Sequence, residues 1–389
     1  MPGAKKPSVL DVVHRTCKQV VELHPGVSIN HQAVQQYAAQ LDAAAVRAAG
    51  AKGNAFPINF ESLEAEVTFL CLYHLLDFGS GYEQLLQDSS RRGAAETIQY
   101  GCFGLALSAK RLDSPWMRAF TPYHVHNAFG IESKVEEQLQ PGITISKPGP
   151  LAPLAAAIQS AVVQAGQALE GVGFKSFGAF VLAHLDGLKQ AGQPCTAASL
   201  VEELADCFTG FQDEALFTVA AAADPAAGSA ALGITPATDQ QQQQGDVVRV
   251  LYLRKAQALA ADLAARFGSQ DERFRWSDGA DLTADSGALL PAILQQLGLL
   301  SISEQLSALQ GQQQQQLPQG ADERALRAAA VAAVDAVVAA SAAGGGGGAG
   351  FTARDLSSHL LSQVVEEGRQ QLLGGVALRP HRTIGTVAY

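Results

Sequence analysis

Charged and aromatic side chains are scarce in this chain: of 389 residues, 16% are charged and 6% aromatic, against about a quarter charged in an ordinary globular chain. Alanine and glycine take their place. The apolar share of 47% still excludes a disordered chain, which lacks the apolar surface to offset chain entropy. Cysteines are few and scattered: Cys17, Cys71, Cys102, Cys195 and Cys207. No C-x-x-C occurs, so neither a disulfide framework nor a zinc ribbon is indicated, and no metal site is expected. Each cysteine reads as a small buried apolar residue in a reducing compartment, with the cytoplasm as the expected location. No apolar run is read as reaching the 18 or more residues of a membrane span, so a soluble protein without a membrane partner is expected. Residues 1–7 carry Lys5 and Lys6 but no apolar segment of a secretory signal. Basic residues are also in deficit. A net charge of −10 argues against a polymeric nucleic-acid partner, whose footprint is basic, although one local basic pocket would be invisible in that sum.

What is present is helical periodicity. Val9, Val13, Cys17, Val20 and Val21 recur on one face, with Asp11, Lys18 and Glu22 off it. Further helices are expected at 31–41 (capped by Asn30), 64–76, 94–107, 122–139, 154–169, 177–188, 197–207, 248–267, 289–299, 323–340 and 351–373. Within 248–267, Val248, Tyr252, Leu259, Leu263 and Phe267 form one stripe. No alternating strand pattern and no fixed repeat period emerges, which counts against a repeat scaffold. Pro141, Pro148, Pro150 and Pro153 interrupt the chain as a joint between halves. The runs at 220–245, 309–320 and 341–350, rich in Gln, Gly and Ala, read as low-complexity surface insertions. The expected fold is mainly α.

Generic chemical patterns are weak. Gly79-Ser80-Gly81 and Gly171-Val172-Gly173 complete neither dinucleotide nor P-loop signatures and read as turns. His124 and His126 lack acidic or cysteine partners in helical register and read as structural. G-x-S-x-G is absent. Three constellations remain. Arg254 and Lys255, adjacent on one helix, can share an anion such as phosphate, or lie on a solvated face. Asp281 and Asp285 flank Thr283 before an apolar helix, as caps or, for Asp285, as a catalytic carboxylate over a pocket. Arg379, His381 and Arg382 make a basic tail, frayed or functional.

A chain of short motifs, in order from about Val9 to Tyr389, resembles the queuosine salvage proteins, queuosine 5′-phosphate N-glycosylases. Leu76-Asp77-Phe78-Gly79-Ser80-Gly81-Tyr82 is similar to the family's L-N-F-G-S-G-W, and Phe208-Thr209-Gly210-Phe211-Gln212-Asp213 to its F-P-x-[FY]-x-D. Tyr252-Leu253-Arg254-Lys255-Ala256-Gln257 resembles Y-K-R-A-Q, with Asp262 following. The segment from Leu282-Thr283-Ala284-Asp285 through Leu290-Pro291 to Gly298 resembles L-T-x-F-A-D-x-x-[VL]-P-x-x-L-x-x-x-G-x-L. Glu323 and Arg327 match two positions of E-V-E-I-R, and His381-Arg382-Thr383 with Tyr389 the H-R-T-R-T-I-x-Y ending.

The resemblance implies one helical domain over 8–389, similar to DNA glycosylases. Its implied reaction is hydrolysis of the N-glycosidic bond of queuosine 5′-monophosphate to queuine and ribose 5-phosphate, with no cofactor and in service of tRNA queuosine modification. The implied partner is a small modified nucleotide; a monomer is the default expectation. By this reading Asp285 is the catalytic carboxylate, Arg254 and Lys255 hold the 5′-phosphate, Asp213 accepts from the base, and Phe78 or Tyr82 stacks on it; Ser80, His381 and Arg382 complete the substrate set. Several positions depart from the family. Asp77 replaces an Asn, Tyr82 a Trp and Ala325 a Glu, and the tail lacks its second Arg. Asp285 lies six residues before Pro291, where the family has four, and Gly287 holds the family's place. On a helix such an offset turns a side chain by about 200°. The second reading is therefore a catalytically inactive, nucleotide-binding helical member, in which Asp285 points away from the pocket.

Overall fold

The computed structural model describes residues 7–218, 247–312, 317–344, 350–366, 370–372 and 376–389, except residues 55 and 110. The expected insertion at 220–245 lies outside the described residues, as do 313–316 and 345–349 of the other two.

Local chemistry explains the first helices. Ser8 and Asp11 form a reciprocal capping box that opens α1 (Val9–Leu23), whose stripe Leu10, Val13, Cys17 and Val20 is fully buried. After β1 (Val27–Ile29), Asn30 caps α2 (His31–Gln40) and Asp42 caps α3 (Ala43–Gly50). α4 (Leu63–Leu75) is apolar on nearly every face and lies inside the molecule. Gly79, at φ +112°, then turns the chain into a 3₁₀ turn at Ser80–Tyr82 and α5 (Glu83–Ser90). α6 (Ala94–Ser108), α7 (Ser114–Arg118) and α8 (Pro122–Phe129) follow.

The helix expected over 122–139 stops at Phe129, because Gly130 adopts a left-handed conformation (φ +67°) at its end. Residues beyond it form an antiparallel hairpin, β2 (Lys134–Gln140) and β3 (Ile143–Pro148), turned by Pro141-Gly142 with Gly142 at φ +85°. Both strands are exposed on both faces, so no apolar alternation marks them. The prolines belong to this hairpin and to the start of the next helix, and one core continues across them: Leu70, Phe180, Leu259 and Val331 share it.

The second half begins with α9 (Ala152–Gly171), α10 (Phe177–Gln190) and α11 (Ala197–Cys207). α10 crosses α4 closely at Gly178, where a β-carbon would stand 2.0 Å from the Glu64 carbonyl oxygen. β4 (Glu214–Thr218) then pairs antiparallel with β5 (Val247–Leu251). The helix expected from 248 therefore begins only at Arg254: Val248 is on the strand, Tyr252 in the turn, and Leu253 at φ +49° redirects the chain into α12 (Arg254–Phe267). α13 (Leu289–Gln296) ends in a Schellman turn at Gly298, with Leu299 N–H bonded to the Leu294 carbonyl, and not at Leu299. β6 (Leu300–Ile302) pairs with β1. α14 (Glu304–Gln312), α15 (Ala321–Gly344) and α16 (Ala353–Ser362) complete the helices; the last was expected to run to 373, but β7 (Val364–Glu366), β8 (Gln370–Leu372) and β9 (Val376–Ala377) form a small antiparallel meander there.

α15 corrects the expectation that no apolar run reaches the length of a membrane span. With a mean hydropathy of 1.7 over 18 residues it is long and apolar enough to cross a membrane by composition. Most of that window is buried in the protein, against α1, α2, α13 and α16. Its alanines, Ala325, Ala328, Ala329, Ala330 and Ala333, are fully buried and let the neighbouring backbones close in. The fold is mainly α, with short strands at its margins.

Candidate functional site

The chain brings distant turns together around a small, partly open pocket of about 160 Å3, below the roughly 300–1,000 Å3 of ligand-filled small-molecule sites. The turn after α4 supplies Asp77, Phe78, Ser80 and Glu83. The loop before α13 supplies Asp285 and Gly287, α12 supplies Arg254, and the C-terminal segment supplies His381, Arg382 and Tyr389. Glu83 is held at the start of α6, accepting the Ala94 N–H at 2.7 Å, which suits a carboxylate at a helix N-terminus.

Arg254 is the centre of the polar wall. Its Nε donates to Asp285 at 3.0 and 3.2 Å, while the rest of the guanidinium reaches the Asp77 carboxylate at 2.9 Å and the Asp77 carbonyl at 3.1 Å. Asp285 is 8% exposed and also accepts the Gly287 N–H at 2.7 Å. Burial pushes its carboxyl up, but the charges of Arg254 and Arg354, with these hydrogen bonds, outweigh burial and hold it below the usual carboxylate range. Asp285 is thus an anion at neutral pH. It is not a helix cap: α13 starts at Ala288 without a side-chain cap, and Asp281 belongs to a separate 3₁₀ turn. Asp285 precedes the helix on non-helical backbone. The offset from Pro291 therefore does not rotate it about a helix axis.

Three expected site residues do not line this pocket. Lys255 is 1% exposed, donates to the Leu75 and Val387 carbonyls at 3.1 and 2.7 Å, and lies 5.3 Å from the Phe78 ring centroid. It follows Arg254 by one helical step, about 100°, and so enters the α4–α12 contact, where burial pushes its amine down to about 8. Arg254 lines the pocket and Lys255 does not. Tyr82 is buried beneath the 3₁₀ turn. Asp213 lines a neighbouring pocket with Glu323 and Arg327, where Arg327 bonds it at 2.5 Å, donates to the Ser286 carbonyl, and sits over the rings of Tyr252 and Tyr389 at 4.0 and 4.9 Å.

The C-terminal segment is built in: Arg379 is exposed, but His381 and Thr383 are each 1% exposed. Both His381 ring nitrogens, the Arg382 Nε and the Ser80 Oγ are buried without a hydrogen-bond partner among the described residues. Burial, followed by the Arg327 charge, pushes His381 down to about 3, so the ring is neutral at pH 7. The sign of its pH effect follows. Above the ordinary histidine value of 6.5 neither folded nor unfolded ring is protonated. As pH falls through 6.5 the unfolded ring binds a proton that the folded ring refuses, so stability declines towards pH 3. Urea unfolding of the free protein at pH 7 and pH 5 is expected to show about 2 kcal/mol of loss from this residue. His381→Asn is expected to flatten that slope, and an unchanged slope would remove the assignment.

Asp77, Glu83 and Tyr389 are the polar lining side chains that the sequence left unassigned. Asp77 and Tyr389 were visible only as motif positions, and Glu83 carried no signal. The expected structural histidines behave so: His124 accepts the Thr121 N–H at the start of α8, and His126 lies 3.4 Å from Glu132. Gly171 ends α9, and Gly173 turns at φ +84°. Among the described residues no group of three or more His, Cys, Asp or Glu is arranged to hold a metal.

Fold and site together define a mainly helical protein with a partly open pocket lined by charged side chains. Residues 237–349 match the family model described as queuosine salvage protein, the family that the motifs resemble, and the match implies a role in queuosine salvage. The matched segment carries Arg254, Asp285, Glu323 and Arg327. No curated protein matches the chain.

Proposed function

We propose that the protein hydrolyses the N-glycosidic bond of queuosine 5′-monophosphate, releasing queuine and ribose 5-phosphate, without a cofactor and as a monomer in the cytoplasm. The observation that carries this reading is the ionised Asp285 carboxylate on the pocket wall, fixed by Arg254 and the Gly287 N–H. Cleavage of the bond builds positive charge on the ribose C1′ and O4′. A pre-oriented carboxylate beside them lowers the barrier because it need not reorganise as that charge develops. The leaving 7-deazapurine has no N7 to protonate, so charge stabilisation at the sugar carries more of the work. With its basicity reduced by Arg254, Asp285 acts as an electrostatic stabiliser, or as the transient nucleophile known from glycosidases, and orients the water; it is a poor general base. Phe78, which lines the pocket, offers an aromatic face for the base.

The inactive-member reading asks for Asp285 turned away from the pocket shared with Arg254 and Phe78, and the position of its carboxylate favours the enzymatic one. Purified protein incubated with queuosine 5′-monophosphate is expected to release free queuine, seen by liquid chromatography with mass detection. Binding of the intact nucleotide with no queuine released would leave the binding-protein reading in its place.

A further inference from the structure

The charge distribution around the pocket divides it. Arg254 is held by Asp285 and Asp77 together, so its surroundings carry two negative charges against one positive. A phosphate dianion brought there would meet two carboxylates. Lys255 is turned to backbone carbonyls and does not line the pocket. Among the described lining residues the other cation is Arg382, anchored by its carbonyl to the Leu317 N–H at 2.7 Å. Its Nε is buried without a partner.

Ser80, His381 and Tyr389 also carry buried, unpartnered polar atoms on the same pocket, and the first two lie on the turn and segment that meet there. Ser80 Oγ is on the 3₁₀ turn, and that turn touches the C-terminal segment directly: a β-carbon on Gly81 would stand 2.3 Å from the Thr383 carbonyl oxygen. His381, 1% exposed, presents two ring nitrogens with no protein partner. A buried donor left unpaired is costly, and three such residues on one pocket wall have the chemistry to receive one oxyanion: a hydroxyl, a guanidinium N–H and an imidazole. We propose that the ester phosphate of the ligand is bound by Ser80, His381 and Arg382, in place of Arg254 and Lys255, and that His381 takes up a proton as the phosphate binds. A neutral imidazole offers one N–H; the imidazolium offers two and a positive charge. Asp77, Glu83, Arg254, Asp285 and Arg382 share the pocket with His381, Tyr389 packs on its ring at 5.5 Å between centroids, and Arg327 lies beyond Tyr389. The Arg327 charge opposes protonation in the free protein; a bound dianion reverses that balance.

This inference rests on a phosphorylated ligand, as in the proposed reaction, and is tested without any bond cleavage. Ribose 5-phosphate and ribose are titrated into the full-length protein by calorimetry at pH 7, in two buffers of different ionisation enthalpy. Ribose 5-phosphate is expected to bind about 10- to 100-fold more tightly than ribose, with proton uptake approaching one per site. Arg382→Gln is expected to weaken binding about tenfold or more, and His381→Asn to abolish the uptake. Circular dichroism of each variant checks the fold, and Ser80→Ala, which removes only a hydroxyl, provides a further arm expected to weaken ribose 5-phosphate and leave ribose unchanged. Equal affinity for the two sugars, or proton uptake persisting in folded His381→Asn, overturns the inference. The two readings fail separately. Proton-linked binding of ribose 5-phosphate by a protein that releases no queuine removes the proposed reaction alone. Hydrolysis indifferent to the 5′-phosphate removes the phosphate site alone.

Discussion

Asp285→Asn is expected to lower the rate of queuine release by about 10²–10⁴-fold while leaving the fold intact. The amide keeps the size of the carboxylate and can still accept from the Gly287 N–H, but it removes the one charge that Arg254 holds against the sugar. The Asp77 carboxylate, 2.9 Å from Arg254, keeps that guanidinium paired, so the variant does not leave an isolated buried cation. The loss is expected mainly in kcat, because the charge opposing Asp285 develops on the ribose only in the transition state. The carboxyl is held below the ordinary aspartate value of 3.8, so it stays ionised from neutrality down through that value, and no acid limb of the rate profile between pH 5 and 7 belongs to it. Steady-state rates across that range, for wild type and variant, decide the matter. A variant with more than a tenth of the wild-type rate would falsify the catalytic role.

Arg327→Leu is expected to cost about 3–5 kcal/mol of stability. The side chains of Arg327 and Asp213 are 4% and 3% exposed, so truncating the arginine strands a carboxylate that water cannot reach. The same change removes a cation from between the Tyr252 and Tyr389 rings, a contact worth about 1–2 kcal/mol when desolvated, and frees the Ser286 carbonyl. Urea unfolding measures the loss. The double variant Asp213→Asn with Arg327→Leu is expected to recover part of it, because the stranded charge is gone. A single-variant loss under about 1 kcal/mol would show that the pair is hydrated and carries little. Because Tyr389 also lines the main pocket, the variant is further expected to weaken ligand binding.

The helices of the core were legible where polar and apolar faces separate, as in α1, and where a cap was read at the start, as with Asn30 of α2; the structure adds Ser8, Ser176 and Thr196 as caps of α1, α10 and α11. Boundaries failed where a single residue left the right-handed region. Gly130 ended α8 ten residues before the expected end at 139, and Leu253, at positive φ, separated β5 from α12. Strands were missed for two different reasons. The β2–β3 hairpin buries neither face and so shows no alternation, while β5 finds its partner β4 across a segment of low complexity. Of the site, six proposed residues meet at the pocket: Phe78, Ser80, Arg254, Asp285, His381 and Arg382. Tyr82, Asp213 and Lys255 are drawn into packing and ion pairs nearby, although Tyr82 and Lys255 are motif neighbours of residues that do line it.

By itself the sequence determined a mainly helical chain, the order of its motifs and the supply of carboxylates, cations and aromatics available for a site. Which charge faces which was decided only by the tertiary structure. Arg254 meets Asp285 across 31 positions and the Asp77 carbonyl across 177, and Arg327 meets Asp213 across 114. Residue spacing in one element says which face a side chain takes, but pairing across such separations depends on how α4, α12, α15 and the C-terminal segment pack. The physical reason is that a buried charge is tolerated only beside its counter-charge. Packing therefore paired Arg254, Lys255 and Arg327 with protein groups, and left polar atoms of Ser80, His381 and Arg382 without partners among the described residues.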